Sequence, residues 1–155
     1  MKSLKLLSVV GLIGSIIFIA CGEGVQEGKK VEVQDLTKNQ PETHGPEIKE
    51  ADIQITNPLK AEWITAGKST YELKCQACHK LNNEKIVGPG WQGVTKRRKP
   101  EWILNMITNV DMMLEKDPEA QRLLEECLVR MPNQNLNREE ARKVLEFQRN
   151  NDGEK

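Results

Sequence analysis

Two thiols and an imidazole fall within five consecutive residues, Cys75-Gln76-Ala77-Cys78-His79, and this run constrains the chain more than any other. Cysteines two residues apart, with a histidine directly after the second, read as a covalent haem attachment site. Both sulfurs fit one helical turn, so they can form thioethers to the two vinyl groups on one haem edge while His79 reaches the iron. Other uses of a CxxC pair fit less well. A thioredoxin-like redox pair needs a preceding strand within a βαβ pattern, whereas Trp63 to Lys74 reads as helix. A zinc site needs two more ligands at comparable spacing, and only Cys127 and His44 stand in usable places.

The N-terminus has the pattern of an export signal. Lys2 and Lys5 form a basic start, Leu6 to Ala20 is an apolar run too short for a comfortable membrane span, and Ala20 precedes Cys21. Phe18-Ile19-Ala20-Cys21 resembles a bacterial lipobox. The expected organisation is a signal peptide over residues 1–20, a lipidated Cys21 heading a tether to residue 57, and a domain over residues 58–155. A cleaved soluble protein and an uncleaved anchor are the alternatives. Acyl chains on Cys21 would bury enough hydrocarbon for stable anchoring.

Removing Lys2 and Lys5 leaves 21 basic against 23 acidic residues, a net charge near −2 that gives no sign of nucleic-acid binding. Gly22 to Asn57 holds four lysines and eight acids, has no aromatic residue and little apolar periodicity, and reads as a flexible leash. Such a chain has a root-mean-square reach of roughly 30 to 35 Å. Within it, Val31-Glu32-Val33 alternates weakly enough that disordered chain remains the better reading. Every aromatic residue after Cys21 lies beyond it: Trp63, Tyr71, Trp91, Trp102 and Phe147. Some 90 residues make a marginal core alone, and a buried haem would supply the missing apolar surface.

Helical periodicity places the ligands. A helix is expected from Asn57-Pro58 to about Lys74, with Gly67, Tyr71 and Cys75 at four-residue spacing along one face. Glycine is costly inside a helix, so another element is expected to pack closely there. A second helix is expected from Pro100, carrying Ile103, Met106, Ile107 and Val110 on an apolar face and ending at Met112-Met113. A third starts near Asp117-Pro118. The last starts at Asn137 with Glu140 three residues on, and its apolar stripe runs Ala141, Val144, Leu145 and Gln148, with Phe147 beside it.

From about Trp63 to Asn150 the chain resembles a small monohaem cytochrome c with His/Met ligation. The resemblance implies an all-α fold: about four to five helices around one covalently attached haem c, with the N- and C-terminal helices crossing. It implies that Gly67 and Tyr71 meet Val144 and Phe147 at that crossing, that the carbonyl of Pro89 in Gly88-Pro89 accepts a hydrogen bond from the proximal imidazole, and that Arg97 binds a haem propionate. Lys96, Arg98 and Lys99 are neighbouring alternatives for the last role. It also implies haem attachment on the outer side of an energised membrane, hence a cell-envelope, periplasmic location.

Only two histidines exist, His79 and His44, and His44 lies in the leash, so the sixth iron ligand is expected to be a methionine. Met106 reads as core filler. Met131-Pro132 lies in a loop before the last helix, where proline stops helix continuation, and it resembles the family's distal Met-Pro. Met131 is the expected ligand, with Met113 and Met112 as alternatives.

A thioether opposite an imidazole raises the reduction potential and leaves no vacant iron position. The reading is a membrane-tethered periplasmic electron carrier, not an enzyme, donating to a respiratory oxidase or reductase. A haem-based gas sensor and a cytochrome subunit of a larger respiratory complex are the alternatives. Lys74, Lys80, Lys85 and the run Lys96-Arg97-Arg98-Lys99 would steer an acidic redox partner if they surround the haem edge. Cys127 is left over and reads as a buried, inert thiol.

Overall fold

The computed structural model describes residues 45–155, so Cys21, His44, the signal-peptide residues and Val31-Glu32-Val33 lie outside the described residues. Six helices follow in order: α1 (Ala61–Lys74), α2 (Val94–Arg97), α3 (Pro100–Thr108), α4 (Val110–Lys116), α5 (Pro118–Cys127) and α6 (Arg138–Asn151). The all-α class expected from the sequence is what the chain adopts. Among the described residues the one β-type pairing is an isolated antiparallel bridge between His79 and Lys85.

The helix ends follow local chemistry. Asn137 and Glu140 close a reciprocal capping box, at 3.0 and 2.9 Å, at the start of α6. Asp117 accepts the Ala120 amide at 2.8 Å ahead of Pro118, the first residue of α5. Pro100 opens α3 in the same way. The single helix expected from Pro100 to Met113 is broken at Asn109, whose side chain leaves the helix register to accept the Met112 amide and cap α4. The first helix begins three residues later than expected: Pro58 lies in a turn ahead of the Lys60 N-cap.

Helices α1 and α6 form the principal packing contact. A Cβ on Gly67 would stand 2.0 Å from the Lys143 carbonyl oxygen and 2.9 Å from Phe147 Cβ, so glycine permits the crossing. Tyr71 fills the space beside it, its ring centroid 5.5 Å from Phe147 and 5.1 Å from Trp91. Leu104, Val144 and Leu145 complete the core at 1% exposure or less.

The end of the segment expected to be a leash packs on the domain. Residues 45–57 lie along α3 and α6 as a strap. Ile48 is buried in the core, and Asn105 holds it by both backbone groups, accepting from the amide at 2.9 Å and donating to the carbonyl at 2.8 Å. Arg142 donates to the Gln54 carbonyl and Arg149 to that of Thr56, both at 3.0 Å. Polar composition suggested a solvated chain; buried side chains on the domain satisfy its backbone instead.

Candidate haem site

Cys75 caps the C-terminus of α1, and the chain continues as one further turn in which the amides of Cys78 and His79 both bond to the Cys75 carbonyl, at 3.0 and 2.9 Å. That turn gathers the two thiols and the imidazole on one wall of a cavity of about 360 Å³. The same cavity is also lined by Trp102, Ile103, Met106 and Ile107 of α3, Leu123 and Cys127 of α5, and Met131 in the segment beyond it.

The 80–91 loop folds back beneath the motif. Gly88 bonds to the Cys78 carbonyl and Trp91 to that of Lys80, each at 2.8 Å, and the Tyr71 hydroxyl donates to the His79 carbonyl at 2.8 Å. This brings the Pro89 carbonyl to 2.8 Å from His79 Nδ1. A carbonyl can only accept, so Nδ1 carries the proton and Nε2 keeps its lone pair. Burial pushes the His79 pKa below its ordinary value despite the opposing effect of the Pro89 hydrogen bond, which favours the neutral imidazole that binds metal. Trp91 lies 5.4 Å from the imidazole, ring to ring, and limits its movement. Gly88 leaves no room for a side chain, since a Cβ would stand 2.4 Å from His79 Cε1.

The donor set fits a covalently held haem c. Two thiols and a neutral imidazole share a mostly apolar cavity with two thioethers, Met131 and Met106. Met112 and Met113 are not among its lining residues, and Met113 is buried elsewhere, at 6% exposure. Burial pushes the Cys75 thiol pKa up to about 11, so in the closed domain this sulfur is a protonated, poor nucleophile.

Arg97 lines the cavity and donates to the Gly90 carbonyl at 2.7 Å and to that of Gln92. No carboxylate pairs with it among the described residues. Arg98 and Arg122, also on the wall, both pair with Glu119, and the Trp102 indole donates to Asp117 at 3.1 Å. Cys127 is half-buried at the end of α5, in no disulfide, and on the cavity wall. That is a more consequential position than the inert core expected for it.

Two contributors were missed in the sequence. Trp91 was visible as a scarce aromatic just after Gly88-Pro89-Gly90, but nothing local tied it to the imidazole. Asp152 accepts from the Gly93 and Thr95 amides at 2.6 and 2.8 Å and so fixes the start of α2, which carries Arg97. This pairing spans 57 to 59 residues and has no signature at the sequence level.

A family model described as Cytochrome c matches residues 64–151. Among solved structures, a cytochrome c from Rhodothermus marinus is 31% identical with a TM-score of 0.63, over 64% of this chain and 85% of that one. An engineered cytochrome c from Rhodothermus marinus, Rma TDE, is 30% identical with a TM-score of 0.62, over 64% and 86%. The same engineered protein bound to a carbene intermediate, 1-ethoxy-1-oxopropan-2-ylidene, is 31% identical with a TM-score of 0.59 over the same shares. A search of curated proteins finds no match.

Proposed function

The chain belongs to the cytochrome c family, whose members bind haem c covalently and transfer electrons through it, and from that premise we propose that it is a lipid-anchored periplasmic carrier whose iron is held by His79 and Met131. Haem supplies a one-electron couple. Cys75 and Cys78 would hold it by thioether bonds, the Pro89 carbonyl orients His79 as one iron ligand, and the sulfur of Met131 would be the other. The observation that carries this reading is that His79, oriented by Pro89 at 2.8 Å, and Met131 line one cavity while Met112 and Met113 do not. Iron held by both His79 and Met131 would offer a substrate no free position, which favours a carrier over a gas sensor or an enzyme.

Anchoring is read from Cys21 and the export-like N-terminus. Residues 45–57, the last part of the expected tether, are held on the domain. A respiratory oxidase or reductase is the intended acceptor. Docking at the exposed haem edge draws on apolar Val87 and Val129, 40% and 53% exposed beside the cavity. The basic run contributes less than its composition suggests, because Arg98 pairs with Glu119, and Lys99 lies 3.9 Å from Glu50 and 3.8 Å from Glu101. Electron-transfer rates to an acidic partner should therefore fall only modestly with ionic strength.

The decisive test is the absorption spectrum of the purified protein in both redox states beside Met131→Ala. The thioether-to-ferric-iron band should vanish in the variant. Its survival would reject Met131.

A further inference from the structure

Lys74 and Lys85, which the sequence offers as docking charges, direct their ammonium groups to the chain around Met131. Lys74, the residue before Cys75, donates to the Gln134 carbonyl at 3.0 Å. Lys85, in the loop that folds back beneath the motif, donates to the Glu126 carbonyl at 2.6 Å. One acceptor precedes Met131 in the chain and the other follows it. Lys74, Glu126, Met131 and Gln134 all line the haem cavity.

The Met131 segment has little else of its own to fix it. Residues 128–137 form no helix or strand, and Leu136 is the one among them buried in the core. Leu128 and Asn135, near its two ends, have φ of +57° and +51°, the two positive values among the described non-glycine residues, in a region that L side chains occupy at a cost. The Glu126 carbonyl is one of the last four of α5 and lacks an intrahelical partner, while the Glu126 carboxylate is taken by Arg122 at 2.8 Å. An ammonium there also meets the negative end of the helix dipole. Arg130 pairs with Asp111, a tie to α4 rather than to the attachment turn.

We infer that Lys74 and Lys85 are positioning residues that hold the Met131 segment against the attachment turn, and so set how readily the sixth iron ligand is displaced. The second part rests on the reading in which Met131 binds iron. Both acceptors are backbone groups, so the effect belongs to the lysines and not to the side chains at 126 and 134.

The test uses ferric holoprotein beside Lys74→Ala, Lys85→Ala and the double variant. Lys80→Ala is the charge control, since the Lys80 ammonium makes neither bond. Two rates are read: amide exchange within 128–136, and capture of added imidazole at saturating concentration, where opening of the segment sets the rate. Each single variant should raise both by about fivefold, the worth of one ordinary hydrogen bond, and the double variant by more. Exchange within α6 reads overall stability and should stay at the parental rate. Parental rates of either kind in the double variant, or an equal rise in α6 or in Lys80→Ala, would overturn the inference. The thioether-to-iron band in Met131→Ala reports separately on ligation, and amide exchange does not depend on it, so the two failures are distinguishable.

Discussion

His79 Nδ1 and the Pro89 carbonyl oxygen lie 2.8 Å apart, and Gly88, the residue before that proline, lies flat against the same imidazole. The two contacts work together: the hydrogen bond sets the tautomer, and the glycine lets the loop come close enough to make it. Gly88→Ala should push the ring or the loop away, because its Cβ would stand 2.4 to 2.9 Å from three imidazole atoms. The expected result is a loss of ~1–3 kcal/mol in stability and a shifted reduction potential, read by denaturant titration and redox titration. A variant with parental potential and stability would show that the loop gives way without disturbing the ligand.

The helix crossing makes a second prediction. Gly67→Ala would place a methyl group 2.0 Å from the Lys143 carbonyl oxygen, which is backbone and cannot rotate aside. Separating α1 from α6 would also loosen the packing of Tyr71 against Phe147 and Trp91. Stability should fall by ~2 kcal/mol or more, measured as a lower urea midpoint at unchanged slope.

Features encoded by nearby residues were legible in the sequence. The attachment run, the capping box at Asn137 and Glu140, and the Gly67 crossing each depend on a spacing that can be counted. Features made by single long-range polar contacts were not. The strap looked like solvated chain because its own residues are polar, and only the facing Asn105, Arg142 and Arg149 decide otherwise. Asn109 interrupts the expected long helix through a cap that apolar periodicity does not register. Gln148 is an intermediate case: a glutamine in an otherwise apolar stripe was visible, but its unmet acceptor and its place on the cavity wall were not.

Acid should weaken the α6 face in a defined direction. Glu146 is fully buried and pairs with Arg142 at 2.7 Å and Arg149 at 3.1 Å, while accepting from the Lys60 amide at 3.0 Å and from the Thr56 hydroxyl. Burial pushes its pKa up, but the Thr56 hydroxyl, the Lys60 amide and Arg142 outweigh that and leave it below the ordinary 4.5. A carboxyl depressed in the folded state contributes stability above its unfolded pKa and loses it as pH falls through the folded value. The contribution should therefore be complete at neutral pH and decline below about pH 4.5. Glu146→Gln should cost ~3–5 kcal/mol at pH 7, because it leaves buried Arg142 without a counter-charge and Arg149 with Glu154 alone, and should flatten this part of the acid profile. Urea midpoints across pH 3 to 7 for both proteins would decide it, and parallel profiles would count against the assignment.

Asn105 joins the strap to the helix that forms the cavity wall, and its removal separates two roles the segment could have. Asn105→Ala would strip partners from the Ile48 amide and carbonyl, in a residue only 4% exposed, at a cost of ~1–3 kcal/mol. Water can reach those groups only if residues near Ile48 lift from α3, so amide exchange at Ile48 should accelerate and proteases should cut within 45–52. The Cys75, Cys78 and His79 turn makes none of these contacts, so the visible spectrum of the holoprotein should be retained. A changed spectrum would mean that the strap holds α3 in place against the haem. An unchanged exchange rate at Ile48 would mean that Arg142 and Arg149 alone suffice to hold the strap down.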